Sequence, residues 1–117
     1  QRSLVGSEMC IRDRGDIPST KIYEDDKVFV FADIAPTAPV HWLAVPKEHI
    51  AMLSDVNEDN SGVISHIYEV VSSLAAEHEE FKNGFRVVTN CGESAGQTVF
   101  HIHFHILAGR DFAWPAG

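Results

Sequence analysis

The chain has 117 residues, 44% hydrophobic and 22% charged, which is the composition of one globular domain rather than of a disordered or fibrous protein. Its formal net charge of −8 argues against DNA or RNA as the main partner, because neutralising phosphates requires clustered Lys and Arg. Two cysteines, Cys10 and Cys91, are too few for a disulfide framework, and no apolar run is long enough for a membrane span or a secretory signal. We therefore expect a cytoplasmic protein that acts without a membrane.

The chain begins with a segment that lacks regular periodicity. We interpret residues 1–14 as a weakly ordered or non-native arm, and residues 15–117 as the domain. Residues 21–24 and 28–32 are typical of a β-hairpin, since they flank the turn-prone pair Asp25-Asp26. A proline-containing loop follows at residues 35–39, and His41 to Val45 is predicted to be the third strand.

One long helix is predicted from Asn57 to Glu80, with Asn57 as its N-cap. Its apolar stripe is formed by Val63, Ile67, Val70, Val71, Leu74 and Ala75. The opposite, solvated face is formed by His66, Glu69, Ser73 and Glu77.

Two more strands are predicted, at residues 85–89 and 99–107. Parallel pairing would need more crossover helices than the chain supplies. The pattern therefore predicts an α+β fold, in which a five-stranded antiparallel sheet carries one long helix on a face.

The last predicted strand contains His101, His103 and His105 at two-residue spacing. Side chains alternate across a strand, so the three imidazoles are expected on one face and the intervening apolar residues on the other. Their outer members would lie about 13 Å apart, so one metal ion could bind at most two neighbours and would need a further ligand from elsewhere. Imidazole itself is the alternative, as a nucleophile and as a hydrogen-bonding or proton-transfer group.

A polar loop at residues 92–98 directly precedes the histidines. Small residues such as Gly96 let backbone amides approach an anion, and Gln97 and Thr98 offer side-chain donors. An ordinary inter-strand connection is the simpler interpretation of the loop alone. Its position beside the histidines makes it a candidate phosphate site.

Several segments carry a family resemblance. Residues 97–107 read Gln-Thr-Val-Phe-His-Ile-His-Phe-His-Ile-Leu, which resembles the signature of the histidine triad (HIT) superfamily of nucleotide hydrolases and transferases. Residues 31–36, residues 38–50 and the tail at residues 109–117 resemble the Hint branch of that superfamily. The resemblance covers about residues 15–117.

The resemblance implies a hydrolase of purine nucleoside phosphoramidates and acyl nucleotides that forms a covalent nucleotidyl-histidine and needs no metal or other cofactor. It implies that His103 is the nucleophile and that His101 and His41 support its orientation and protonation. Phosphate would be contacted by His105, Thr98 and the amides around Gly96 and Gln97. The expected nucleoside contacts are Asp33 to the ribose hydroxyls, Ile34 to the base and Asn90 near the ribose and phosphate.

The resemblance also implies a short second helix and a homodimer with continuous sheets, in which Trp114 reaches toward the partner's active site. Some Hint proteins bind zinc through a Cys-x-x-Cys pair and histidines that correspond to His49 and His101. Here Ser7 stands at the first cysteine position and Cys10 at the second. Because a hydroxyl group is a poor zinc ligand, we expect that site to be absent.

Two other functions are compatible with the same pocket. One is a dinucleoside polyphosphate hydrolase of another HIT branch, although Ala108-Gly109-Arg110 and the Trp114-Pro115 tail favour Hint. The other is a nucleotide-binding regulatory protein in which catalysis is incidental.

Overall fold

The computed structural model describes residues 20–117, which form one five-stranded antiparallel sheet and one α-helix. The elements in chain order are β1 (Lys21–Glu24), β2 (Val28–Ala32), β3 (Val40–Pro46), α1 (Ser61–Glu77), β4 (Phe85–Val88) and β5 (Phe104–Ala108). The order of strands across the sheet is β1-β2-β3-β5-β4, and every neighbouring pair is antiparallel. The predicted α+β fold is confirmed, whereas the predicted arm at residues 1–14, with Ser7 and Cys10, lies outside the described residues.

The helix packs on one face of the sheet and forms the larger core with it. Ile67, Val70, Val71 and Leu74 are buried, and Val63 and Ala75 pack against them, so the predicted apolar stripe is confirmed. Burial of such side chains contributes about 1.5–3 kcal/mol each, which fixes the helix on this face. The chemistry described below is therefore left to the opposite face.

The beginning of α1 differs from the prediction. The helix begins at Ser61, not directly after Asn57. The side-chain oxygen of Asn57 accepts the N–H groups of Asp59 and Asn60 at 2.8 and 3.2 Å, and the Asn60 side chain in turn accepts the N–H of Asn57 at 2.7 Å. Asn57 thus shapes the turn that precedes the helix, because Asn side chains compete for backbone donors within turns.

The expected short second helix is represented in the described part of the chain by single 3₁₀ turns. These lie at Leu53–Asp55, Glu79–Phe81 and Glu93–Ala95. Within residues 20–117, no helix has the length and apolar character needed to cross a membrane.

The final strand is shorter than predicted. It begins at Phe104, so only His105 of the three histidines lies in it, and the prediction that all three share one strand face is wrong. The N–H of Ile102 instead donates to the carbonyl of Ile50 at 2.6 Å, which takes this segment away from the sheet. As a result Phe100 is 37% exposed rather than part of the core.

A second difference concerns His66, which was predicted to be a solvated helix residue. Its Nε2 lies 2.6 Å from Asp25 Oδ2, so it connects α1 to the β1–β2 turn. This hydrogen bond raises the pKa of His66. Partial desolvation works in the opposite direction on Asp25, but hydrogen bonds from His66, Lys27 N–H and the Tyr23 hydroxyl hold the pKa of Asp25 well below its usual range.

The pair predicts a specific dependence of stability on pH. The pKa of His66 is higher in the folded than in the unfolded protein, so protonated His66 stabilises the fold. This contribution to the free energy of unfolding is complete below the unfolded pKa of about 6.5 and is lost as the pH rises through the folded pKa. We expect His66→Gln to lower the free energy of unfolding by about 0.5–1 kcal/mol at about pH 5.5, and by less at about pH 8.5. Urea denaturation of both proteins at the two pH values measures this, and an equal loss at both would contradict the proposed ion pair.

Candidate active site

The candidate site is built on the face of the sheet opposite α1, around His41 of β3. His41 is only 7% exposed, and its Nε2 lies 2.9 Å from His105 Nδ1 on β5 and 3.3 Å from Asp33 Oδ2. The two histidines meet because His41 pairs with Leu107 and His105 with Leu43, which makes them diagonal neighbours on one face. Asp33 follows β2 directly, and its N–H donates to the carbonyl of His41 at 2.9 Å.

Hydrogen bonds assign the protons of these two rings. The backbone N–H of Thr37 donates to His41 Nδ1 at 3.1 Å, so Nδ1 of His41 carries no proton. Neutral His41 therefore holds its proton on Nε2 and donates it to His105 Nδ1. His105 in turn keeps its own proton on Nε2, the nitrogen that remains available to a ligand.

Both rings are neutral at physiological pH. Burial lowers the pKa of His41, although the Asp33 carboxylate opposes this shift. Burial, followed by the proximity of His103 and His41, lowers the pKa of His105 to about 4. His105 can therefore donate a hydrogen bond from Nε2 without carrying a positive charge.

His103 lies next to this pair, with its ring centre 5.2 Å from that of His105. Its Nδ1 lies 2.9 Å from the carbonyl oxygen of His101, which can only accept, so the proton of His103 is on Nδ1. Nε2 of His103 is left with a free lone pair, as a nucleophile requires. The hydroxyl of Thr89 donates to the His103 carbonyl at 2.9 Å.

The structure gives His101 a different contact from the one expected of its side chain. Its imidazole is 6% exposed and donates from Nε2 to the carbonyl of Pro46 at 2.8 Å, while its Nδ1 lies 3.2 Å from His49 Nδ1. Burial lowers the pKa of His101. The observed support for the orientation of His103 comes from the main-chain carbonyl of His101 rather than from its ring.

The candidate phosphate loop is held together by its own hydrogen bonds. The amides of Gly96 and Gln97 donate to the carbonyls of Glu93 and Gly92 at 2.9 and 3.0 Å. The Gln97 side chain is 3% exposed, accepts the N–H of Gly92 and donates to the carbonyls of Ala51 and Val99. These groups therefore shape the loop, whereas Thr98 is exposed at its end and accessible to a ligand.

A cavity of about 220 Å³ brings several predicted site residues together. Its lining is Thr37, His41, Val88, Asn90, His105 and Leu107. A cavity of about 300 Å³ between β1 and α1 is larger, but its lining contains none of these residues. We assign the site to the smaller cavity because the neutral imidazoles meet there.

Two other predicted contact residues are strongly exposed. Ile34, directly after Asp33, is 63% exposed, and Trp114 in the tail is 84% exposed. Large apolar side chains in such positions are available to a ligand or a partner. Contact of Ile34 with the base and of Trp114 with the partner's site therefore remain predictions.

Asp33, His41 and His105 could together offer ligands to a metal ion, since one ligand atom from each lies within 4.8 Å of the others. A metal ion on Nε2 of His41 would have to displace the proton that this nitrogen donates to His105. The displaced proton could not move to Nδ1 without breaking the hydrogen bond from the Thr37 N–H. The hydrogen bonding thus favours imidazole chemistry over metal binding at this set.

The sequence patterns assigned no role in the site to Thr37, Thr89 or Arg110. Thr37 acts through its backbone, and Thr89 was predicted as an ordinary strand residue. The guanidinium of Arg110 donates to the Thr37 carbonyl at 3.2 Å, a contact between residues 73 positions apart. No local spacing in the sequence signals such a contact.

The fold and the site together define an α+β protein with clustered neutral imidazoles beside a small cavity. The HIT domain family matches residues 14–112, and the chain belongs to the HIT family. An uncharacterised HIT-like protein of Synechococcus elongatus is 43% identical over 104 residues, which cover 89% of this chain and 90% of that protein.

Solved structures agree with this assignment. The crystal structure of a HIT family hydrolase from Legionella pneumophila is 41% identical, with a TM-score of 0.84 and coverage of 93% of this chain and 97% of that chain. A histidine triad nucleotide-binding protein from Candida albicans is 34% identical, with a TM-score of 0.68 and coverage of 94% and 83%. The expected HIT family is therefore confirmed, whereas the Hint branch stays a prediction.

Proposed function

We propose that this protein hydrolyses purine nucleoside phosphoramidates and acyl nucleotides through a covalent nucleotidyl-histidine at His103. The observation that carries the proposal is the hydrogen bond from His103 Nδ1–H to the His101 carbonyl, which leaves Nε2 free to attack phosphorus. Structural likeness to a HIT family hydrolase supports hydrolysis, and likeness to a histidine triad nucleotide-binding protein supports a nucleotide as the ligand.

In the first step, Nε2 of His103 attacks phosphorus, the bond from phosphorus to the amine nitrogen breaks, and the amine leaves with a proton taken from solvent water. The positive charge that develops on the His103 ring is stabilised because its Nδ1–H remains bonded to the His101 carbonyl. In the second step, water attacks phosphorus, the bond to Nε2 breaks, the nucleoside monophosphate is released, and the proton lost by the attacking water returns to solvent. His105 would donate its Nε2–H to a phosphate oxygen in both steps.

The nucleoside would lie beside the turn that follows β2. One carboxylate oxygen of Asp33 accepts the N–H of Ala35 at 2.8 Å, while the other faces His41 and has lone pairs left for ribose hydroxyls. Exposed Ile34 would cover the purine, and Asn90 in the cavity lining would contact the ribose or phosphate.

A homodimer with joined sheets belongs to the same proposal. β4 is an edge strand, and Phe85 at its start is 40% exposed, so a partner strand could add there and cover it. Exposed Trp114 would then contact the partner's site.

A comparison of two substrates tests the proposed activity. We expect kcat/KM for an adenosine phosphoramidate to exceed that for diadenosine tetraphosphate by about 100-fold or more, which corresponds to about 2.7 kcal/mol of transition-state preference. Release of AMP from each substrate is measured side by side by liquid chromatography. The reverse preference would indicate a dinucleoside polyphosphate hydrolase, and tight AMP binding without turnover of either substrate would indicate a binding protein.

A further inference from the structure

The start of the C-terminal tail contacts the loop that leads into β3. Gly109 has a φ of +96°, and a Cβ added there would lie 2.8 Å from the Cβ of Pro39, so only glycine allows this close approach. The next residue, Arg110, donates to the carbonyl of Thr37. Residues 109 and 110 therefore hold the loop from one side.

Thr37 also contacts the imidazoles of the site. The Thr37 carbonyl accepts from Arg110, while the Thr37 N–H donates to His41 Nδ1 at 3.1 Å. Beyond His41 the connection continues from Nε2 to His105 Nδ1 at 2.9 Å. Hydrogen bonds thus connect Arg110 in the tail, through the main chain of Thr37 and the ring of His41, to His105. His105 is the residue that would donate to phosphate.

We propose that Arg110 is a positioning residue that, through Thr37, keeps the proton of His41 on Nε2 and so directs the Nε2–H of His105 toward the phosphate. The inference rests on the proposed function of His105. Without the Thr37 N–H at Nδ1, only the Asp33 carboxylate, 3.3 Å from Nε2, still favours a proton on Nε2 of His41. A fraction of the molecules can then carry the proton on Nδ1 and accept from His105, which would leave His105 Nε2 without a proton in that fraction. The ring would then repel a phosphate oxygen rather than donate to it.

Arg86 of β4 provides a matched control, because it contacts the same tail as Arg110. Both guanidinium groups contact the ring of Phe112: the Cζ of Arg110 lies 4.3 Å from the ring centre and the Cζ of Arg86 lies 5.2 Å from it. Arg86 also donates to the Ala113 carbonyl at 2.9 Å, but the structure shows no hydrogen bond from it to the described loop at residues 33–39. Arg86→Ala therefore weakens the attachment of the tail and leaves Thr37 in place.

The test uses the full ¹⁵N-labelled chain and two readouts. Long-range ¹H–¹⁵N spectra distinguish protonated from unprotonated ring nitrogens, and we expect Nε2–H signals for His41 and His105 in the wild type and in Arg86→Ala. In Arg110→Ala we expect mixed protonation of His41, and kcat lower by about tenfold with KM little changed. Arg110→Lys retains one donor and should restore part of both, while Gly109→Ala should reproduce the spectral change by displacing Pro39.

The outcomes separate this inference from the proposed function. Wild-type ring-nitrogen signals in Arg110→Ala would overturn it, as would equal changes in Arg110→Ala and Arg86→Ala. If neither the wild type nor any variant hydrolyses the substrate but the spectra change as expected, the effect of Arg110 on the His41 proton stands and the proposed function fails.

Discussion

Replacement of His103 by alanine is expected to lower kcat for an adenosine phosphoramidate by about 10⁴-fold. The loss should be this large because no neighbouring imidazole can act in its place. His101 is held by the Pro46 carbonyl and His49, and His105 has its Nδ1 engaged by His41 and its proton on Nε2. Steady-state release of AMP measures the effect.

The control for this variant is His66→Gln, which also removes an imidazole but lies at the contact between α1 and the β1–β2 turn. It should hydrolyse the substrate at the wild-type rate. Intact-protein mass spectrometry after a rapid alkaline quench should detect a nucleotidyl adduct in the wild type and none in His103→Ala. A kcat of His103→Ala within tenfold of the wild-type value would contradict the assignment of His103 as the nucleophile.

The second large effect is expected for His105. His105→Ala should lower kcat by about 10²-fold or more, because it removes a neutral donor that stabilises charge developing on the phosphate oxygens. The pKa of about 4 implies that this donor stays neutral throughout the physiological pH range. The rate should therefore show no loss from titration of His105 above about pH 5.

Two further variants test how His105 acts. His105→Gln can place an amide N–H near the same position and should recover part of the rate. His41→Ala leaves the His105 ring present but removes the donor to its Nδ1, so a smaller loss of about tenfold is expected. If His41→Ala were as damaging as His105→Ala, His41 would have a direct role in the reaction.

The early strands could be predicted from sequence because local signals enclose them. Asp25 accepts the N–H groups of Lys27 and Val28, and this turn sets the hairpin at the predicted residues. The last strand could not be bounded in this way, since the alternation of His and apolar residues continues beyond it. Ala44 pairs with Phe104, so extension by two residues would place Ile102 opposite Pro46, which has no N–H to donate.

In the site, the identity of the residues could be predicted, but the positions of the protons on their rings could not. The histidine pattern indicated His103 and His105, and the family resemblance added His41 and Asp33; these side chains lie together beside the cavity. The position of each proton depends on Thr37, on the His101 carbonyl and on their tertiary neighbours. These contacts are made by main-chain atoms, whose hydrogen bonding does not depend on which side chain the residue carries.

The position of each ring along β5 has a consequence for motion during the reaction. His105 lies inside the sheet between β3 and β4, so its backbone can move only if two strand pairings open. His103 lies just before the strand, where the Thr89 hydroxyl holds its carbonyl. Slow amide exchange at His105 and faster exchange at His103 are the expected pattern, with a rigid donor beside an attacking group that can follow phosphorus as their bond forms and breaks.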